Sequence, residues 1–194
     1  MEKYRDKYRI SSARAQWWDY GNNAAYFITI CTHERISYFG KIKELRFIES
    51  PIGKIATQCW HDIPRHFQFV ELGSFVVMPN HIHGIIVIDK PTLNGEQVPV
   101  ETRFIASPPI EPPLNQSPIG GFAGDKNPMN DENLARIVRW YKGRCSFEMR
   151  KINADFKWQS RYHDHVIRSE REYQGITDYI NTNPLNWEKD KFFK

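Results

Sequence analysis

The chain has few cysteines and no long hydrophobic run, and these two shortages exclude several classes of protein. Its 194 residues include only three cysteines, far apart and without a Cys-x-x-Cys pair: Cys31, Cys59 and Cys145. This excludes a disulfide scaffold and predicts reduced, structural thiols. No apolar stretch approaches the roughly 20 residues of a membrane span, and the start, MEKYRDKYR, is too charged for a signal peptide. We therefore expect a soluble, cytoplasmic protein without a membrane partner.

A strong net charge is also lacking. The formal charge is +4 and the isoelectric point is near 8.9, which is compatible with a nucleic-acid partner but does not demonstrate one. Hydrophobic residues make up 40% of the chain and aromatic residues 14%, as expected for a folded core. The length suits one domain, which we expect to span residues 1–194.

The prolines are distributed unevenly. Eight of the 12 fall between residues 90 and 131, mixed with glycine, serine and asparagine. This composition predicts a long loop or a partly ordered insertion rather than a second core.

Local patterns predict alternating strands and helices. Runs rich in aromatic and β-branched residues predict strands at 25–32, 69–78, 81–89 and 158–167, with a short hairpin at 37–49. Apolar periodicity predicts helices at 52–61 and 133–151. Ser50 before a proline marks the start of the first of these, and a capping box that begins at Ser169 predicts a last helix at 170–183. The resulting order predicts an α+β fold, in which helices pack on an antiparallel sheet in a ferredoxin-like plan.

The sharpest local motif is His81-Ile82-His83. On a strand the two histidines point to the same face, where two neutral imidazoles can share a divalent metal. The alternative is a pair of partly exposed histidines at the mouth of a hairpin. A second motif, His163-Asp164-His165, ranks lower, because it would turn an aspartate toward the core; one of its side chains could instead support the first site.

The last predicted helix carries Tyr179 and Asn183, which are four residues apart and therefore share one helical face. Tyr179 lies at the edge of the apolar stripe rather than at its centre. An amide oxygen can bind a metal, and a phenol beside it can act as a nucleophile. The alternative is an ordinary packing tyrosine.

The preceding predicted helix is basic. Between residues 133 and 152 it has six basic residues and a single acidic one. Basic side chains that recur at helical spacing beside a tryptophan suit phosphate contact and base stacking, although a solvated helix face explains the pattern equally well. The candidate DNA-binding residues are Arg136, Arg139, Trp140, Lys142 and Arg144.

Three blocks closely resemble the single-tyrosine (HUH) transposase family, and best its REP-associated tyrosine transposases and their insertion-sequence relatives. The blocks are AYFITICTHERISYFGKI, FVVMPNHIHGIIVI and WQSRYHDHVIRSEREYQGITDYINTNPLNWE, and MPNHIHG and YINTNP are the most specific parts. The resemblance covers nearly the whole chain except the proline-rich segment. It implies the RRM-like antiparallel sheet with helices of HUH endonucleases.

The resemblance also implies a site and a reaction. His81 and His83 match the family's ligands for a divalent cation, Mg or Mn, and Tyr179 matches its nucleophile. Asn183 matches the polar ligand one turn later, which is asparagine in the REP-associated branch. The implied reaction cleaves single-stranded or hairpin DNA, leaves a 5′-phosphotyrosine link and a free 3′-hydroxyl, and can rejoin strands. Related proteins include monomers and dimers, so the oligomeric state stays open.

Two other functions stay open at this point. One is a domesticated hairpin-DNA-binding protein without transposition activity. The presence of all four site residues argues against complete loss of catalysis but not against a changed role. The other is a zinc protein of unrelated function, which lacks support because the sequence has no further cluster of ligands.

Overall fold

The computed structural model describes residues 18–44, 46–91 and 132–193, together with the backbone of a two-stranded antiparallel pair near the start, β1 (Lys3–Tyr4) and β2 (Lys7–Tyr8). The predicted proline-rich insertion lies almost entirely outside the described residues. Both that insertion and the single domain over residues 1–194 therefore remain predictions.

The described chain alternates strands and helices in the predicted order. The strands are β3 (Ala24–Cys31), β4 (Gly40–Lys43), β5 (Arg46–Glu49), β6 (Val70–Met78), β7 (His81–Ile88) and β8 (His163–Ile167). The helices are α1 (Pro51–His61), α2 (Ile63–His66), α3 (Leu134–Met149) and α4 (Glu170–Thr182), and a 3-10 helix, Asn183–Lys189, continues from α4. No helix in these ranges is long and apolar enough to cross a membrane.

Four strands form the main sheet in the order β6-β7-β3-β8, and every neighbouring pair is antiparallel. Their chain order is β3-α1-β6-β7-α3-β8, which is the split βαβ arrangement of ferredoxin-like folds. β4 and β5 form a separate hairpin. The predicted α+β fold with an antiparallel sheet and packed helices is therefore confirmed.

One face of the sheet is covered by α1 and α3. The larger apolar core lies here and includes Tyr26, Ile28 and Ile82 from the strands, with Trp60 and Tyr141 from the helices. A Cβ atom added at Gly84 of β7 would overlap the Trp60 ring, so only glycine allows this close approach. The three cysteines are buried and form no disulfide, as predicted.

The opposite face of the sheet is covered by α4, over a smaller cluster that contains Ala25, Ile85, Ile167 and Ile180. Strand register decides which other residues share this face. β3 and β7 pair Thr29 with His83 and Cys31 with His81. Because side chains alternate along a strand, the two histidines lie on the α4 side of the sheet.

The predicted caps at Ser50 and Ser169 are confirmed, and Asn133 caps the start of α3. The side chains of Ser50, Asn133 and Ser169 each accept a hydrogen bond from the backbone N–H three residues later, at 3.0, 3.0 and 3.2 Å. These bonds satisfy donors that the first helical turn leaves free.

The strand predicted at 158–167 is wrong in its first half, because the regular strand begins only at His163. Trp158 forms an isolated bridge with Thr32. The Lys142 ammonium then donates to the carbonyl oxygens of Gln159 and Ser160 at 2.6 and 3.3 Å. These carbonyl groups point to a helix side chain instead of a strand, so the ladder is interrupted there.

Candidate active site

The two histidines of β7 form a buried pair. Their exposed fractions are 0% for His81 and 1% for His83, and their Nε2 atoms lie 3.0 Å apart. Burial lowers the pKa of His81 to about 3 and that of His83 to about 2. Both imidazoles are therefore neutral near pH 7. The alternative of partly exposed histidines at a hairpin mouth is wrong.

These lowered pKa values predict acid sensitivity. In the unfolded chain each histidine takes up a proton near its ordinary pKa of 6.5, while the folded protein resists protonation down to about pH 3. The contribution of the neutral histidines to the free energy of unfolding is therefore fully present above pH 6.5. It decreases as the pH drops from 6.5 toward 3, by about 2 kcal/mol per histidine at pH 5. Chemical denaturation of chelator-treated protein at pH 7.5 and pH 5 measures this loss.

The His83→Gln variant serves as the control for that measurement, because glutamine does not titrate. It should lose about half of the pH-dependent fall in the free energy of unfolding. An unchanged fall in this variant would show that other groups cause the acid sensitivity.

Helix α4 places Tyr179 directly beside the histidine pair. Its hydroxyl lies 3.2 Å from His83 Nε2, and its ring meets Phe27 edge-on with the centroids 6.1 Å apart. The side chain is still 42% exposed, so the phenol is open to solvent on one side. This agrees with the sequence analysis, which placed Tyr179 at the edge of the apolar stripe of this helix, where a phenol can face a metal site.

The Tyr179 phenol is protonated near neutral pH. Burial raises its pKa, the Asp190 carboxylate raises it further, and the Asn183 amide acts in the opposite direction. A nearby positive charge would favour the phenolate and offset the first two effects.

Asp190 is the site residue that the sequence analysis missed. The 3-10 helix that follows α4 brings the chain back over the sheet, and ligand atoms of His81, His83 and Asp190 all lie within 4.8 Å of one another. Asp190 stands in a short run of alternating charges, Glu188-Lys189-Asp190-Lys191, which carries no periodicity that points to a site.

Asn183 joins this group from the end of α4. It is 3% exposed, and its Nδ2 donates to a carboxylate oxygen of Asp190 at 3.2 Å. Its Oδ1 is buried and has no hydrogen-bond partner among the described residues. A buried polar atom without a partner costs about 1–3 kcal/mol unless a ligand satisfies it.

This set of donor atoms suits a divalent cation. Two neutral imidazole nitrogens from β7 and the Asp190 carboxylate lie together, and the Asn183 amide, whose oxygen has no partner among the described residues, contacts that carboxylate. Nitrogens 3.0 Å apart subtend nearly a right angle at an ion about 2.1 Å from each, which is the angle between neighbouring ligands in octahedral coordination. The group centred on His81, His83 and Asp190 could therefore hold a metal ion.

A cavity of about 440 Å³ opens beside this group. His83, Tyr179 and Asn183 line it, and Lys189 and Lys191 add positive charge. The second histidine motif contributes one residue here, because His163 also lines the cavity.

The other histidine of that motif has a different partner. His165 Nε2 lies 2.7 Å from the Glu172 carboxylate, at the start of α4. Among the described residues, the group that could hold a metal consists of His81, His83 and Asp190 and includes none of His163, Asp164 and His165.

The basic residues predicted to bind DNA lie elsewhere. Arg136, Arg139, Trp140 and Arg144 line a groove of about 480 Å³ on the outside of the α1 and α3 layer. There Trp140 stacks on His66, with the ring centroids 4.7 Å apart. Lys142 does not line this groove, since its ammonium is bound to backbone carbonyl groups. The sheet therefore separates the groove from Tyr179.

Comparison with known proteins shows a relative over most of the chain. An uncharacterized protein of Haemophilus influenzae (strain ATCC 51907 / DSM 11121 / KW20 / Rd) is 32% identical over 183 residues, which cover 94% of this chain and 92% of that protein. The chain belongs to the same family as this protein. No family model matches the chain.

The fold is also similar to a solved structure, that of a REP-associated tyrosine transposase bound to a REP hairpin. The TM-score is 0.55 and the identity 16%, over 91% of this chain and 74% of that chain. At this identity the likeness establishes a shared fold: both have the sheet and helices described above.

Proposed function

We propose that the protein is a metal-dependent endonuclease and strand transferase that acts on single-stranded DNA, in the manner of a single-tyrosine transposase. The observation that carries the proposal is the position of one phenol. The Tyr179 hydroxyl lies 3.2 Å from His83 Nε2, which is itself 3.0 Å from His81 Nε2. A nucleophile beside two neutral imidazoles and a carboxylate is an arrangement suited to phosphoryl transfer.

The cation, Mg or Mn, would be held by His81, His83 and Asp190, with Asn183 as a further oxygen ligand. When bound, it would neutralise charge on the scissile phosphate and favour the Tyr179 phenolate. Magnesium prefers oxygen ligands and manganese accepts imidazole more readily, so this mixed set favours manganese in affinity.

The chain's own residues then perform the reaction. The Tyr179 oxygen attacks phosphorus, the bond from phosphorus to the 3′-oxygen breaks, and that oxygen takes up a proton. The products are a 5′-phosphotyrosine link and a free 3′-hydroxyl. Because the link keeps the energy of the phosphodiester, a second 3′-hydroxyl can reverse the step and join strands. Lys189 and Lys191 lie where they would contact the DNA backbone.

The groove on α3 is proposed to bind another part of the DNA. Arg136, Arg139 and Arg144 surround Trp140, which combines phosphate contact with a surface for base stacking. The structurally similar transposase is bound to a REP hairpin, which supports hairpin DNA as the substrate. Since the groove and Tyr179 are on opposite sides of the sheet, a substrate that reaches both must pass around its edge.

This arrangement predicts a preference for single-stranded or hairpin DNA over blunt duplex. Affinity should fall as salt rises, because each phosphate contact releases counterions. In an Arg136→Ala/Arg139→Ala variant the salt slope should be smaller by about 1.4–1.8, since each arginine that neutralises a phosphate contributes about 0.7–0.9. Fluorescence anisotropy titrations measure both effects, and equal affinity for a blunt duplex of the same length would contradict the prediction.

The proposed function is tested directly by a covalent-adduct gel with 5′- and 3′-labelled hairpin oligonucleotides in Mn²⁺ or Mg²⁺. We expect a metal-dependent band that keeps the label on the 3′ side of the nick, with release of the 5′-side fragment. Hairpin binding without any adduct in either metal would favour the domesticated DNA-binding protein instead.

A further inference from the structure

Asn80, immediately before β7, fixes the proton on His81. Asn80 is fully buried, and its Nδ2 donates to the carbonyl oxygens of Arg35 at 3.2 Å and Phe192 at 2.9 Å. This orients the amide, so the atom that faces His81 Nδ1 at 2.9 Å is the Asn80 oxygen. An amide oxygen only accepts, so His81 Nδ1 must carry the proton and its Nε2 must carry the lone pair.

Thr29, on the neighbouring strand β3, has the corresponding position next to His83. Its hydroxyl is buried and lies 2.8 Å from His83 Nδ1. A hydroxyl differs from an amide oxygen because it can either donate or accept. The partner of His83 therefore leaves both neutral tautomers open, whereas the partner of His81 allows only one.

The two Nε2 atoms face each other at 3.0 Å, and two lone pairs at this distance repel unless a proton or a cation lies between them. Without a cation, His83 donates from Nε2 to His81 Nε2, the Tyr179 oxygen 3.2 Å away acts as a second acceptor, and Thr29 donates to His83 Nδ1. With a cation, the His83 proton must be on Nδ1, and Thr29 becomes the acceptor. The ring stays neutral in both states, since one proton moves by exchange with water.

We infer that Asn80 and Thr29 are positioning residues with different tasks. Asn80 holds His81 permanently in the tautomer that binds a cation, and Thr29 allows His83 to change tautomer when a cation enters. A hydrogen bond to the distal nitrogen is the usual way in which proteins orient histidine ligands. The inference rests on the proposed function only in assuming that a cation binds.

The tautomers can be read by ¹⁵N NMR of the histidine side chains in the full-length protein. In metal-free protein we expect the proton on Nδ1 of His81 and on Nε2 of His83. After addition of Zn²⁺, a diamagnetic cation, the His83 proton should move to Nδ1 while His81 stays unchanged. A proton on Nε2 of His81 in metal-free protein would overturn the inference, and this measurement needs neither DNA nor activity.

Variants of Thr29 test the role of the hydroxyl in binding. Thr29→Val keeps the shape but removes the hydroxyl, and Mn²⁺ affinity measured by calorimetry should fall about 10–100-fold. Thr29→Ser restores a hydroxyl and should stay within a few-fold of wild type. Thr177→Val is the matched control, because the buried Thr177 hydroxyl has no hydrogen-bond partner among the described residues.

Wild-type affinity in a folded Thr29→Val protein, verified by thermal unfolding, would overturn the role of Thr29. If the metal-free protein shows the expected tautomers but binds neither Mn²⁺ nor Zn²⁺, the metal-dependent function and the role of Thr29 are both wrong. The assignment of the His81 tautomer would still hold. If the tautomers and the metal affinities are as expected but the protein never nicks DNA, only the proposed function is wrong.

Discussion

Replacing Tyr179 with phenylalanine is expected to abolish both DNA cleavage and the covalent protein–DNA band. Phenylalanine keeps the ring that packs against Phe27 but has no oxygen to attack phosphorus. The substitution removes one hydrogen bond to His83 from a side chain that is 42% exposed, so the loss of stability should be about 1 kcal/mol or less. Hairpin affinity should be nearly unchanged, which separates binding from chemistry in the same protein.

Tyr173→Phe is the matched control for this prediction. Tyr173 lies on the same helix, packs with the cluster of Ile85 and Ile180, and should keep full adduct formation after the substitution. An adduct on 5′-phosphate that persists in Tyr179→Phe would show that the nucleophile lies elsewhere, and the remaining tyrosines could then be mapped by mass spectrometry of the linked peptide.

Replacing either buried histidine with alanine should remove metal-dependent cleavage. The cation is expected to supply several kcal/mol of transition-state stabilisation, and each 1.36 kcal/mol corresponds to a tenfold change in rate. His81→Ala and His83→Ala should therefore each nick hairpin DNA at least about a thousandfold more slowly. Mn²⁺ affinity should fall in parallel, while circular dichroism should report the same secondary structure.

His165→Ala is the control here, because this histidine belongs to the second motif and pairs with Glu172 instead of joining the group on β7. It should keep both nicking and Mn²⁺ binding. Unchanged nicking by a His83→Ala protein would contradict the assignment of the metal site, even if Tyr179 proved to be the nucleophile.

Much of the fold could be predicted because its signals are local. Ser50 before Pro51 and the serine at position 169 marked helix starts, and their side chains do accept the capping bonds. The alternation of residues in β7 correctly predicted that His81 and His83 share a face, since strand geometry alone imposes this. In the same way, helical spacing placed Tyr179 and Asn183 on one side of α4.

Other features depend on contacts between distant parts of the chain. The strand predicted from residue 158 is interrupted because Lys142 of α3 binds the carbonyl groups of Gln159 and Ser160. The basic groove of α3 could be recognised by its composition. Its position across the sheet from Tyr179 could not, because it follows from which face each helix covers.

The sequence by itself determined most of the strands and helices, the placement of the two histidines on one strand face, and the spacing of Tyr179 and Asn183, because each depends on the period of a single strand or helix. Only the tertiary structure decided that these two pairs meet, and that Asp190 joins them. The C-terminal segment reaches β7 by folding back across the sheet, where the Phe192 carbonyl orients Asn80, and Thr29 approaches His83 from a neighbouring strand. Such contacts link residues far apart in sequence, so no local period records them.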